Sequence, residues 1–265
     1  MIKPLLTSTG HAITDAAGMP LYEESDFTPP DGIPSFGALI RDDAPGDSCE
    51  LWRDVFPKEV IDPSDWKQFV DAGAGDHRSY VNWIYNQGSV GSCASEGLHG
   101  CVDSQRERRG LPKVKFNPYP IYYYASGGRD VGSTLVACIR EAKARGMVPA
   151  KLWPRSQHRW NDLPPASVWA EAKKYKPDEV YDIGNSVESA SALFRGHSVY
   201  AAYPGHAWQL ISVLNTQQAM WRNSWGDDWD GGGGGGGGDG FGVISFSRIT
   251  FQYGLFAIQT TTAGA

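Results

Sequence analysis

Hydrophobic residues recur at helical spacing through the middle of the chain. Between Ser92 and Arg109 they fall on one face of a predicted helix, with Ser92 as the N-cap and Gly110 as the stop. A second helix is predicted from Ser133 to Arg145, because its apolar residues have the period of an amphipathic helix. Shorter helices are expected near residues 166–175 and 187–194.

After Gly196 the pattern changes to short β-rich runs that are separated by turn residues. Helices therefore come first and strands later, an order that predicts an α+β fold with two segregated lobes. The predicted strands are residues 198–203, 207–214, 219–222 and 241–246.

Residues 1–60 show no sustained helical or strand period and are densely punctuated by Pro, Gly, Asp and Ser. This pattern predicts an extended N-terminal arm, residues 1–60, ahead of a folded domain, residues 61–265. The arm also carries large apolar side chains such as Phe27, Leu39 and Trp52, which indicates that parts of it dock on a surface.

Composition narrows the class of protein. A net charge of −6 gives no electrostatic footprint for nucleic acid, and no apolar run reaches the roughly 18–20 residues that span a bilayer. The N-terminus has no apolar run of signal-peptide length, and 4 cysteines are too few for a disulfide scaffold. We therefore expect no nucleic-acid or membrane partner, and a protein kept in a reducing cytoplasm.

The segment NQGSVGSCAS, residues 86–95, places Cys93 at the first turn of a predicted helix. The dipole of the helix N-terminus stabilises a thiolate there, and backbone N–H groups can hold an oxyanion. Gln87 offers a side-chain amide as a second oxyanion donor. Gly91 lets the backbone turn sharply and lets a substrate approach. Cys93 is therefore a candidate nucleophile, whereas the other three cysteines are interpreted as small buried hydrophobes.

A thiol nucleophile needs a base, and the base needs a group that orients it. His206 begins an apolar strand in GHAW, and Asn223 lies in WRNSWG. An imidazole paired with Cys93 would lower the pKa of the thiol and protonate a leaving amine. The amide oxygen of Asn223 would fix the imidazole tautomer, and Trp225 would shield that hydrogen bond from water. Taken singly, a histidine is more often a core residue and an asparagine a turn residue.

Together these segments resemble the papain family of cysteine peptidases. The matching motifs are QGSVGSCAS around Cys93, GHA around His206 and NSWG from Asn223. In addition, PSDW at 63–66 resembles the start of a mature papain-like domain, and DVGS at 130–133 resembles the loop whose backbone binds an extended substrate. The resemblance covers roughly residues 60–260.

The resemblance implies a papain-like two-lobe α+β fold, with a helical left lobe and an antiparallel β-barrel-like right lobe. A polypeptide substrate would lie extended in the cleft between them. The Cys93 thiolate would attack a peptide carbonyl, with His206 as acid and base and Asn223 as its orienter. The Cys93 N–H and the Gln87 amide would hold the oxyanion. No metal or cofactor is expected, and the implied substrate-binding residues are Gly91, Ser92, Gly132, Gly205 and Trp225.

The chain also departs from the family pattern. Ala94 stands where an aromatic residue usually follows the nucleophile, and Val90 where a disulfide cysteine usually precedes it. His206 follows Cys93 by 113 residues, fewer than the roughly 130–150 of the family signature. The shortening lies just before Gly205, where the family has a longer excursion that helps to wall the cleft. Residues 1–60 also lack a helical pro-segment.

These departures leave alternatives open. Residues 1–60 are either an inhibitory arm over the cleft or an arm that docks on a partner, and the lack of an inhibitor-like helix favours docking. The leading function is an active cysteine endopeptidase. The alternative is a papain-fold structural or assembly protein, for example a virion component, with weak or no peptidase activity. A Cys-His amidase acting on cell-wall peptides is a third hypothesis, against which NSWG argues.

The 8 consecutive glycines of Gly231–Gly238 lie between two predicted strands of the right lobe. Length in a surface loop costs little closure entropy, so we expect a loop there and no side-chain chemistry.

Overall fold

A computed structural model describes residues 2–25, 28–34, 37–229, 239–249 and 251–260 of the chain, so the predicted loop Gly231–Gly238 lies outside the described residues. The helices are α1 (Trp52–Val55), α2 (Trp66–Asp71), α3 (Cys93–Arg108), α4 (Tyr119–Ala125), α5 (Leu135–Arg145), α6 (Ala166–Ala172) and α7 (Ser186–Phe194). The strands are β1 (Glu179–Asp182), β2 (Ser198–Tyr203), β3 (His206–Val213), β4 (Gln218–Arg222), β5 (Phe241–Ser245) and β6 (Phe256–Gln259). None of the described helices is long and apolar enough to cross a membrane.

The two helices predicted with defined ends form as expected. Helix α3 starts at Cys93 with Ser92 as its N-cap residue. Helix α5 starts two residues later than predicted, because the Thr134 hydroxyl accepts the N–H of Ala137 at 3.0 Å and so caps the helix. Gly146 ends it with a φ of +84°, a conformation that favours glycine.

Within the described residues the strands form one six-stranded sheet in the order β1-β6-β2-β3-β4-β5, and every neighbouring pair is antiparallel. The sheet is open and does not close into the barrel-like lobe that was expected. Its two edges, β1 and β5, are joined instead to the N-terminal arm. The strands β1 and β6 are four residues each and were not predicted, because their partners lie far away in sequence.

Alternate side chains of the sheet enter two apolar clusters, one on each face. Val199 and Ala201 of β2 pack in the cluster that contains α7, whereas Tyr200 and Ala202 pack in the cluster that contains α3 and α5. Helix α3 lies close to the sheet because Gly97 faces it: a Cβ at Gly97 would lie 3.2 Å from the Trp208 backbone. Helix α3, which carries Cys93, is therefore fixed directly against β3.

The N-terminal arm is anchored before the cleft on the edge of the sheet. The Asp15 carboxylate accepts the N–H and the hydroxyl of Thr216, at 2.9 and 2.6 Å. The side chain of Gln218 exchanges two hydrogen bonds of 2.8 Å with the backbone of Tyr22. Ser25 continues this pairing, because its N–H donates to the carbonyl of Val243 on β5 at 3.0 Å. We call these contacts the sheet anchor.

The arm is anchored again after the cleft by a buried ion pair. The guanidinium of Arg41 contacts both carboxylate oxygens of Asp182 on β1, at 2.8 and 3.1 Å, with side chains only 5% and 1% exposed. The backbone of Leu51 pairs with Asp182, and Trp52 is fully buried beyond it. We call these contacts the Arg41 anchor.

Candidate active site

The start of α3 places Cys93 beneath the turn between β2 and β3. The thiol is fully buried, and its Sγ accepts the N–H of Ala207 at 3.3 Å. Ala207 follows His206 directly, so this contact joins the first turn of α3 to the beginning of β3. The structure thereby places the predicted nucleophile in contact with the residue that follows the predicted base.

His206 is held in one tautomer by Asn223. The Asn223 Oδ1 lies 2.7 Å from the His206 Nε2 and also accepts the Ser224 N–H at 2.7 Å. Because an amide oxygen only accepts, Nε2 must carry the proton. The buried Nδ1 is then the basic nitrogen, and it has no hydrogen-bond partner among the described residues. Trp225 stacks on the imidazole with ring centroids 4.4 Å apart and covers it.

Gln87 is also brought to the site and is fully buried. Its Oε1 accepts the Ser224 hydroxyl at 2.8 Å, and its Nε2 donates one hydrogen to the Val90 carbonyl at 3.0 Å. This arrangement fixes which end of the amide faces the nucleophile loop. Nε2 carries a second hydrogen, and this is the one that the sequence predicts will meet an oxyanion.

A buried ion pair holds β4, which ends just before Asn223, against α3, which begins at Cys93. The guanidinium of Arg222, the residue before Asn223, contacts the Asp103 carboxylate at 3.0 Å, and both side chains are at most 2% exposed. The same guanidinium donates to the Gly100 carbonyl at 3.0 Å. Arg222 thus ties β4 to the middle of α3. Its role was not predicted, since a charged pair 119 residues apart leaves no local pattern.

The arm crosses the candidate site directly over Cys93. A Cβ built on Gly37 would lie 2.1 Å from the Cys93 Sγ and 3.2 Å from the Gly91 carbonyl oxygen, so only a glycine fits at this position. The N–H groups of Gly37 and Ala38 both donate to the Gly205 carbonyl, at 2.8 and 3.2 Å. Gly205 presents that carbonyl from a two-residue Pro-Gly turn with a φ of +86°, where the longer family excursion was expected to be missing.

On the opposite wall the arm pairs with Ser133. The Ser133 N–H donates to the Gly37 carbonyl at 3.0 Å, and the Leu39 N–H donates to the Ser133 carbonyl at 3.0 Å. This bridge is parallel. Gly132, which the sequence predicts as a substrate-binding residue, directly precedes Ser133, and its N–H donates to the Tyr122 hydroxyl at 3.1 Å.

Two other predicted substrate-binding residues have their polar groups engaged within the protein. The Gly91 N–H donates to the Asp130 carboxylate at 2.9 Å, although its carbonyl faces the arm. The Ser92 hydroxyl donates to the Glu96 carboxylate at 3.1 Å. Ser92 therefore serves the first turn of α3.

Beside Trp225 the arm also lines a cavity of about 560 Å³. Arm residues 30–33 form one wall, and the loop before Cys93 together with Trp225 and Trp229 forms the other. The arm thus lies along the cleft on both sides of the thiol.

Burial keeps the side chains of Cys93 and His206 neutral beneath the arm. It raises the pKa of the Cys93 thiol to about 12, against the opposing effect of the Ala207 N–H. It lowers the pKa of His206 to about 4, although the bond to Asn223 favours the charged form. Between these two values the covered pair is a thiol and a neutral imidazole. Among the described residues no group of three or more His, Cys, Asp or Glu is arranged to hold a metal ion.

Solved structures similar to this chain are cysteine proteases of low sequence identity. Xylellain, a cysteine protease from Xylella fastidiosa, is 18% identical over 91% of this chain and 99% of its own, with a TM-score of 0.65. Procathepsin L2, a digestive proteinase of the Tenebrio molitor larval midgut, is 15% identical over 88% of this chain and 81% of its own, with a TM-score of 0.61.

The Amb a 11 cysteine protease of ragweed pollen, in its proform, is 14% identical over 83% of this chain and 72% of its own, with a TM-score of 0.58. No family model matches the sequence, and no curated protein matches it significantly. Identities this low establish the fold and nothing finer. On that evidence, joined to the arrangement of Cys93, His206 and Asn223, the chain has the fold of the papain-like cysteine proteases.

Proposed function

We propose that the protein is a cysteine peptidase that its own N-terminal arm holds latent. The observation that carries this proposal is the position of Gly37, whose backbone lies on the Cys93 thiol between the Gly205 and Ser133 walls. The site beneath it has a buried thiol, an oriented imidazole and two oxyanion donors, which together are the parts of an acyl-transfer centre.

With the arm displaced, the Nδ1 of His206 takes the thiol proton and Cys93 attacks a peptide carbonyl. The Cys93 N–H and the Gln87 amide hold the oxyanion that forms. The imidazolium, oriented by Asn223, then protonates the leaving amine, and an acyl-enzyme remains on Cys93. Water deprotonated by His206 releases the acid and restores the thiol.

The arm is not a substrate in the orientation it adopts. The acyl half of a substrate would pair with Ser133, and the leaving amine would lie beside His206 and Trp225. The arm runs the other way, because residues 30–33 lie at Trp225 and Leu39 lies at Ser133. The Gly37 carbonyl also binds the Ser133 N–H instead of the oxyanion donors. The arm therefore blocks the thiol without being cut by it.

The assembly alternative is less favoured by this geometry. The assembly alternative depends on an arm that docks on a partner. The described arm is bound instead along the cleft and the sheet of its own chain. A virion role has no support in the described contacts or in the similar structures. Cytoplasmic residence stays a prediction.

The test is labelling of the full chain, in the Gly37→Ala background, with an epoxide thiol inhibitor and mapping of the labelled peptide. We expect label on Cys93 alone, together with hydrolysis of casein. Cys93→Ser, which changes one atom, should lose both. Folded, reduced protein that carries the Gly37→Ala change and takes no label at Cys93 would remove the peptidase proposal.

A further inference from the structure

Two side chains connect the nucleophile loop to the wall of the cleft. The Asp130 carboxylate accepts the Gly91 N–H at 2.9 Å and the Tyr122 hydroxyl at 2.5 Å. The same hydroxyl accepts the Gly132 N–H at 3.1 Å. These hydrogen bonds link Gly91, two residues before Cys93, to Gly132, the residue before Ser133. We call it the Asp130–Tyr122 brace.

The segment that the brace holds, residues 127–132, is rich in glycine. Gly127, Gly128 and Gly132 have φ values of +65°, +76° and +81°, so three of six residues lack the restriction of a Cβ. All four cysteines are free, so no disulfide ties this segment to the nucleophile loop. Val90 stands where the resemblance would place a disulfide cysteine. The position of Ser133 therefore depends on noncovalent contacts.

The brace is built rigidly at its centre. Tyr122 is fully buried and its ring packs against Trp160 with centroids 5.7 Å apart. Burial and the bond to Asp130 raise the pKa of the phenol, so it remains a donor at neutral pH. A hydroxyl that donates to a carboxylate makes a short, charge-assisted hydrogen bond.

We propose that Asp130, acting through Tyr122, is a positioning residue that sets the distance between Cys93 and the backbone of Ser133. The Ser133 backbone binds whichever extended chain lies in the cleft, the arm in the latent protein and the acyl half of a substrate in the open one. The brace thereby couples recognition of that chain to the placement of the nucleophile. The binding of a substrate by Ser133 rests on the proposed function. The placement of Cys93 relative to the backbone of Ser133 does not.

The primary experiment uses the full chain and needs no catalysis. Tyr122→Phe keeps the ring and removes the hydroxyl, and Tyr123→Phe is the matched control on the same helix. Amide hydrogen exchange is followed at Gly91, Ser133 and Leu39. We expect these three amides to exchange about tenfold faster or more in Tyr122→Phe, the loss due to one charge-assisted hydrogen bond, and at unchanged rates in Tyr123→Phe.

Two substitutions of Asp130 extend the exchange measurement, one that keeps the acceptor oxygen and one that removes it. Asp130→Asn keeps an acceptor oxygen and should stay close to the parent protein, whereas Asp130→Ala should match or exceed Tyr122→Phe. Unchanged exchange at Ser133 in Tyr122→Phe overturns the proposal. Equal acceleration throughout β3 also overturns it, because that result indicates general destabilisation and not loss of a local brace.

A kinetic measurement tests the coupling to the site in the Gly37→Ala background. A fluorogenic tetrapeptide amide reaches Ser133, whereas an acylated single-residue ester does not. Tyr122→Phe should raise KM for the peptide about tenfold and leave kcat/KM for the ester within about twofold. Equal losses on both substrates contradict the coupling. If neither substrate is turned over while the exchange result holds, the brace stands and the peptidase proposal fails.

Discussion

The α-carbon of Gly37 lies so close to Cys93 that a methyl group added to it would sit 2.1 Å from the Sγ atom. This relationship makes Gly37 the position at which the smallest possible change should open the site.

Gly37→Ala should expel the arm from the cleft, because the added methyl cannot share space with the fully buried thiol. We expect alkylation of Cys93 by iodoacetamide to accelerate at least about tenfold, the effect of about 1.4 kcal/mol of overlap. The control is Gly184→Ala, where the added methyl meets Glu188 at an ordinary 3.5 Å. An alanine at 37 that leaves alkylation slow would contradict the covering role of the arm.

The pH dependence of alkylation should change with the arm. In the parent protein burial raises the pKa of the thiol to about 12 and lowers that of His206 to about 4, so reaction through the thiolate stays slow across neutral pH. Removing the arm returns water to both groups. The thiol pKa then falls and the imidazole pKa rises, which favours the thiolate–imidazolium pair. A pH profile of Gly37→Ala identical in shape to that of the parent argues against this.

Asn223→Ala, made in the Gly37→Ala background, should lower kcat roughly 10–100-fold, part of the 10²–10⁴-fold that general acid–base catalysis contributes. The hydrogen bond at Nε2 fixes the tautomer and favours the charged imidazole, so its loss should also lower the pKa of His206. Steady-state kinetics across pH measure both effects. Asn161→Ala, at an exposed position, is the control and should leave the profile in place.

Arg41→Met should lower the free energy of unfolding by about 3 kcal/mol, because it leaves the buried Asp182 carboxylate without its partner. Urea denaturation measures this loss. Lys67→Met removes an exposed ion pair with Asp71 and should cost less than about 1 kcal/mol. If the two variants lose the same stability, the Arg41 anchor is not a buried pair in solution.

Protonation of the Asp15 carboxylate at low pH should weaken the sheet anchor. Burial opposes ionisation of its carboxyl, but hydrogen bonds from Thr216, Met19 and Ala17 outweigh burial and lower its pKa below 3.8. A depressed folded-state pKa contributes stability that is complete above about pH 3.8 and is lost as pH falls through the folded value. Protection of the Thr216 amide from exchange should therefore decline below about pH 3.8, and Asp15→Asn should remove that dependence.

Much of the fold could be predicted because its signals are local. The N-terminus of α3 at Cys93 follows from glycines and serines before an apolar helical repeat, and the end of α5 follows from Gly146. Strand β2 was predicted with its exact bounds, since a β-rich run meets a Pro-Gly turn. Helix α4 was missed because its sequence, YPIYYYA, is aromatic and its N-cap position holds a proline with no capping side chain.

The candidate triad could be predicted from motifs, but what surrounds it could not. Ser133 binds the chain in the cleft through backbone atoms alone, so no side chain marks it. Arg222 and Asp103, like Asp130 and Gly91, meet only after the chain has folded. The path of the arm depends on Gly37, one glycine among 32, and nothing in its neighbours identifies it as the residue over the thiol.

Because the sheet anchor and the Arg41 anchor hold the arm at both ends, the strand over Cys93 acts as a ligand at a high effective concentration. A short tether keeps a bound segment at about millimolar effective concentration, so a peptide in free solution competes poorly with it. One cut in the chain between Ser25 and Gly37 would convert this doubly held strand into a singly held one without removing a contact in the cleft. After that cut the strand over Cys93 is tethered only through the Arg41 anchor, so it dissociates more readily and substrate at high concentration can displace it. A single hydrolytic event in that span would therefore change the protein from closed to responsive to substrate concentration.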